Sequence, residues 1–221
     1  MNKLIIFLIA ISFLCCNNSV NNYTLDQDSK DVYNLALENT TGSDTLARYQ
    51  FLTIAPDFSN ISKIKYQKRI DSIKKIMDTA TFYVKVWHDI ITISSSDSLH
   101  IQETVTSNKE NLKYEMDGDT SFNEALKQLC NNKLLFDTLD VTLLKSKFNY
   151  KIYSDRNPPT YKLREIGEVG FSKIAFTNNK TKAAIYTNFF CGRLCGIGQI
   201  LFFEKTNGVW KFIRSWTMWA S

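Results

Sequence analysis

Histidine is almost absent from this chain: 221 residues contain two, His88 and His100, together with only eight glycines and three prolines. A tetrahedral zinc site needs four ligands. The five cysteines and two histidines show neither C-x-x-C nor H-x-x-x-H spacing, so neither a metal nor a cofactor is expected. Scarce glycine excludes the loops that cradle phosphates and dinucleotides. There is no P-loop, no G-x-G-x-x-G and no G-x-S-x-G, and Gly196-Ile197-Gly198 is only a fragment of such a loop. Neither sign of charge dominates. Twenty-seven basic against 22 acidic residues give +5, and losing Lys3 with a cleaved leader takes that from +5 to +4. A surplus so mild and so evenly spread does not point to nucleic acid.

What is present fits one globular domain with a sizeable core: 44% hydrophobic and 22% charged residues, with 15 Phe, 10 Tyr and 4 Trp. Large rings suit a core built on a sheet. The first fifteen residues, MNKLIIFLIAISFLC, differ from the rest. One charge at Lys3 precedes an apolar run from Leu4 to Leu14, which has the length of a secretory h-region and is too short to span a bilayer. Cys15 and Cys16 follow, then the polar NNSVNNYTLDQDSK. A cysteine that ends an h-region and opens a polar tether resembles a bacterial lipoprotein signal, in which the cysteine is acylated and becomes the first mature residue. Cys16, preceded by the small Cys15, is the better candidate, although Phe13 and Cys15 stand where the pattern prefers Leu and Gly, Ala or Ser. The alternative is an ordinary signal peptide with two incidental cysteines. Both readings export the protein. The expected organisation is therefore a leader over 1–15, a flexible tether over 16–27 and a single domain over 28–221, lipid-anchored in the cell envelope and facing the periplasm or the exterior.

Along the domain, Asp28 or Ser29 is expected to cap a helix to about Glu38, with Val32, Leu35 and Ala36 on one face. Tyr66, Ile70, Ile73 and Met77 make an apolar stripe on a second helix, whose basic face is read as solvated rather than membrane-bound. TFYVKVWHDIITI alternates as a strand that places His88 with Phe82, Val84, Val86 and Ile90, and SSSDS ends it. Ser121 and Glu124 make a capping box for a helix that buries Phe122, Ala125, Leu126 and Leu129. Residues 134–147 give mixed signals. After them VGFSKIAFT, KAAIYTNFF, GQILFFEK and VWKFIRSWTMW read as four strands, with Asn207-Gly208 as a two-residue hairpin turn. The expected class is α+β: a curved antiparallel sheet, its C-terminal part a four-stranded meander, with helices packed on one face.

Cys191 and Cys195 are the most suggestive feature. In one extended strand their α-carbons would lie roughly 13 Å apart, beyond the limit of about 7 Å for a disulfide. If Gly192, Arg193 and Leu194 form a hairpin loop, the cysteines face each other at its mouth, and in an exported protein a disulfide outranks a redox pair or a metal clip. Cys130 is then left free as a buried apolar residue. His88 is read as packed or edge-placed and His100 as solvated, and Asp89 points away from His88, so no catalytic triad assembles. Glu165 and Glu168 are read as surface carboxylates. Trp210, Phe212, Trp216 and Met218 share a parity and are read as a core face; the alternative is an aromatic platform for sugars or peptides, with Trp87 and Tyr161 elsewhere.

GFSKIAFTNNKTKAAIYTNFFCGRLCGIGQILFFEKTNGVWKFIRSWTMW, with KDVYNLALEN near the start, resembles a family of uncharacterised secreted or lipid-anchored proteins of Bacteroidota-type bacteria. Their C-terminal pattern is a Gly-Phe strand, an Ala-rich strand with Tyr, a C-G-x-L-C-G-x-G turn and a K-x-x-G-x-W-K hairpin. The resemblance implies compartment and architecture and adds no catalytic residue. The expected function is a non-enzymatic binding or interaction module for a protein or small-molecule ligand, tethered through Cys16, with a surface near Arg193 as one place for binding. The alternatives are an envelope hydrolase whose site is assembled from residues distant in sequence, with His88 or His100 as candidates, and an immunity-type inhibitor of a protein toxin. Mass spectrometry of the membrane fraction is expected to find a diacylglyceryl and acyl adduct on Cys16; an unmodified N-terminus elsewhere would refute the anchor.

Overall fold

The computed structural model describes residues 25–42, 82–106, 119–131, 138–148, 150–159, 165–192 and 195–221. The leader, Cys16, most of the tether, the helix expected within 61–78, Tyr161 and Arg193 lie outside the described residues. The described chain forms helix α1 (Gln27–Thr41), strand β1 (Phe82–Val86), helices α2 (Ser95–Thr106) and α3 (Asn123–Asn131), then strands β2 (Tyr150–Ser154), β3 (Glu165–Phe171), β4 (Ala175–Phe176), β5 (Lys182–Gly192), β6 (Cys195–Thr206) and β7 (Val209–Ala220). No described helix is long and apolar enough to cross a membrane.

The fold is α+β. Strands β3, β5, β6 and β7 run antiparallel in the expected meander, and short β4 also pairs with β5. The other side of the sheet differs from the expectation: β1 lies between β2 and β3 and is parallel to both, so the sheet of seven strands is mixed. Alternation within one strand says nothing about the direction of its partner. The helices also divide between the faces instead of sharing one. Val32, Tyr33, Ala36 and Leu37 of α1 pack with Ala183, Ile185, Phe189, Leu201 and Phe203. On the opposite face, Ile101 of α2 and Ala125, Leu126 and Leu129 of α3 pack with Ala184, Tyr186, Ile200 and Phe202. A strand buried on both faces reads as a continuous apolar run rather than an alternating one, and Ala183–Tyr186 and Ile200–Phe203 are such runs.

Local chemistry moves several boundaries. Asp26, not Asp28 or Ser29, caps α1, accepting the Ser29 N–H at 2.8 Å, and Leu25 is already 6% exposed in the core, so the folded domain begins upstream of 28. Tyr33 and Leu37 take the buried face expected of Leu35, which is half-buried. β1 stops at Val86, and the serine-rich segment expected to be a loop is helical, because the Ser94 side chain accepts the Asp97 N–H at 3.1 Å and caps α2. The expected capping box at Ser121 does not form. Glu124 accepts the Asn178 N–H at 3.2 Å instead, tying α3 to the β4–β5 turn.

The expected core face of β7 is split by a bulge. Phe203 pairs with Phe212 and Phe202 with Arg214, so Ile213 is the extra residue. A slip of one residue turns every later side chain to the other face. Trp210 therefore packs in the α1 core, Trp216 in the α2–α3 core, and Phe212 is 36% exposed.

Hydrogen bonds from Ser29 and the Lys180 ammonium hold the Asp26 carboxyl at about 2, below its ordinary 3.8. A depressed folded value means that this contribution is present above pH 4 and is lost as pH falls toward 2. Asp26→Ala is expected to cost about 1 kcal/mol at neutral pH in urea unfolding, and Asp26→Asn to remove part of the acid sensitivity between pH 4 and 2 while keeping most of the cap.

Candidate functional site

The β5–β6 hairpin ends in the cysteine pair. Gly192, not Cys191, pairs with Cys195, the register shifts between Phe190 and Gly192, and Cys191 is the bulged residue. The connecting loop is thus shorter than the three residues expected. Gly192 takes a φ of +144°, where a side chain would be strained. The bulge turns Cys191 toward Cys195, the α-carbons stand 5.2 Å apart, and the two sulfurs form a disulfide.

Beside this staple, on the α1 face, lies a pocket of about 300 Å³, at the lower end of the range for small-molecule sites. The last turn of α1 supplies Asn39 and Thr40, β5 supplies Phe189 and Cys191, β6 supplies Cys195, Ile197 and Gln199, and Ala220 and Ser221 close the far side. The hairpin register places buried Thr187 opposite Gln199, and Thr187 shares a hydrogen bond of 3.3 Å with Thr40. The Gln199 amide, 9% exposed, faces the pocket and makes no hydrogen bond to another described residue. Water, or a ligand that displaces it, can pair with this amide in the pocket. None of the described lining residues has an ionisable side chain, since the two cysteines are bonded to each other.

The residues singled out from sequence for chemistry lie elsewhere. His88 sits past the end of β1, half-buried, its backbone N–H donated to the Asp155 carboxylate at 2.8 Å, while exposed Asp89 pairs with Arg156 at 2.6 Å. Because β1 ends at Val86, His88 does not join the core row of Val84 and Val86. His100 is exposed on α2 and packs against Trp216 with centroids 5.6 Å apart. Glu165 accepts from the Tyr153 hydroxyl, and Glu168 is ion-paired with Lys85 and accepts the Trp87 indole N–H at 3.1 Å. A register shift between β1 and β3 separates the Glu165 and Gly167 pairings, so both carboxylates come to one face, each with its own donor. Burial, reinforced by Glu165, pushes the Tyr153 phenol well above its usual range. Cys130 is free and half-buried, its thiol raised by burial. Among the described residues no group of three His, Cys, Asp or Glu side chains could hold a metal ion.

Thr40, Thr187 and Gln199 were not singled out from sequence. The available signal was a polar residue inside an otherwise apolar strand: Thr187 in AIYTNFF and Gln199 in GIGQILFF. No protein-family model, curated protein or solved structure matches the chain. The geometry of the pocket therefore carries the functional reading.

A peptide map under non-reducing conditions is expected to join Cys191 to Cys195. Replacing both with Ser is expected to lower stability by roughly 2 kcal/mol, the chain-entropy value for so short a ring, and to weaken binding in the pocket that the staple borders.

Proposed function

We propose that the protein is an exported, lipid-anchored, non-enzymatic binding module that holds a small neutral ligand in the pocket beside Cys191 and Cys195. The observation that carries this reading is the Gln199 amide, without a hydrogen-bond partner among the described residues, in the wall of a cavity whose described lining residues have no ionisable side chain. The apolar body of the ligand would rest on Phe189 and Ile197. Its polar end, an amide or a hydroxyl, would give and accept the hydrogen bonds that Gln199 lacks. Thr40, backed by Thr187, sits at the same wall. The leader, the tether behind Cys16 and the resemblance of the C-terminal hairpins to secreted or lipid-anchored proteins support the envelope location. A hydrolase built on either histidine finds no support in the pocket, because neither His88 nor His100 lines it.

A fragment library of neutral amides and alcohols, screened by thermal shift, is expected to yield ligands that stabilise the native chain. Gln199→Leu is expected to weaken them about tenfold by removing the amide that faces the ligand, while the empty protein stays folded. Replacing both histidines is expected to leave binding unchanged. Ligands indifferent to Gln199→Leu, or turnover lost with either histidine, would overturn the proposal.

A further inference from the structure

The opposite face of the sheet carries a second arrangement that the pocket does not explain. Trp87, just beyond β1, Phe190 on β5 and Trp219 on β7 lie in a row across the strands. All three are half-buried, and none belongs to either core cluster. Their floor is glycine. A β-carbon at Gly198 would fall 2.0 to 2.7 Å from three atoms of the Trp219 indole, one at Gly196 would meet both Trp219 and Phe190 at 3.0 and 3.1 Å, and one at Gly170 would touch Trp87 at 3.0 Å. The rings thus pack close to backbone that carries no side chain at these glycines.

Their mutual angles agree. Trp87 and Phe190 are nearly parallel, 16° between planes with centroids 5.9 Å apart, and Phe190 and Trp219 follow at 34° and 5.6 Å. In the cores the pairs Tyr33 with Phe171 and Phe122 with Phe202 meet edge to face, at 73° and 67°. Interlocking rings fill space from both sides, whereas this near-parallel row packs on glycine and leaves part of each ring open to solvent. Both indoles are also held in orientation, Trp87 by Glu168 at 3.1 Å and Trp219 by the Tyr186 hydroxyl at 2.8 Å.

The border of this strip is polar. Lys85 and Glu168 form an ion pair beside Trp87. Within the floor itself, between Gly170 and Gly198 in the register, Asn188 is 8% exposed and its Oδ1 has no partner. We infer that the strip is a binding site for neutral saccharide chains. A pyranose ring presents C–H faces that stack on aromatic planes and equatorial hydroxyls that hydrogen-bond at its edges, and the ring-to-ring spacing is close to the advance of one sugar residue. A purely apolar occupant would strip water from Lys85 and Glu168 and return no hydrogen bonds, and a charged one would meet a pair that is already neutralised.

The test uses the intact chain with two soluble probes, cellohexaose and chitohexaose. At least one is expected to give saturable tryptophan fluorescence changes and calorimetric binding. It is also expected to protect Trp87 and Trp219, but not buried Trp210, from oxidation mapped by mass spectrometry, a readout that needs no variant. Trp219→Ala and Trp87→Leu should each weaken binding at least tenfold and Trp219→Phe much less, while Gln199→Leu should leave it unchanged. Failure of both probes to bind at millimolar concentration, protection confined to other residues, or loss of binding in Gln199→Leu would overturn the inference; the last result would place the sugar in the disulfide pocket instead.

Discussion

The rest of the structure depends on the pairing of β5 with β6. From Lys182 opposite Glu204 to Gly192 opposite Cys195, this hairpin forms the centre of the sheet and supplies apolar side chains to both faces at once. Each helix layer packs on it, and neither core exists without it. The two ends of the ladder are closed by different chemistry. At one end Lys182 and Glu204 form an ion pair at 2.8 Å, and at the other the chain is joined covalently. A surface ion pair contributes little, so the cysteine end is the better anchored, and both candidate sites lie near it.

Elements defined by short-range rules were legible before the structure was known. Asn207 and Gly208 both take positive φ, +54° and +78°, as a type I′ turn requires, and the strands on either side of them pair as expected. The cysteine hairpin was legible for the same reason, apart from its bulge. What escaped was set by long-range partners. Nothing in TFYVKV says that β2 and β3 will both run alongside it in the same direction. Nor does VWKFIRSWTMW mark the extra residue at Ile213 that sends Trp210 and Trp216 to opposite cores. Glu124 lost its expected role because the Asn178 N–H offered a tertiary partner in place of a local one.

The candidate sites were less legible than the fold. Histidines, carboxylates and cysteines announce reactivity in a sequence, but the structure scatters the histidines and gives Glu165 and Glu168 each its own donor. Among the described residues the buried amide oxygens without a partner are those of Asn123 and Asn188, and the Gln199 amide faces the pocket on the strand next to Asn188 and on the opposite face of the sheet. Amides draw little notice in a sequence, since they carry no charge and their worth depends on whether a partner lies within reach.

Strand β7 closes the described sheet on one side, and a long closing strand is an invitation to strangers. Its twelve residues could template another chain, molecule after molecule, were they straight. Register shifts at two places break that template into short lengths, and Lys211 and Arg214 add charge along it. The irregularity that divides the tryptophans between two cores therefore also interrupts the row of backbone groups that a foreign strand could pair with.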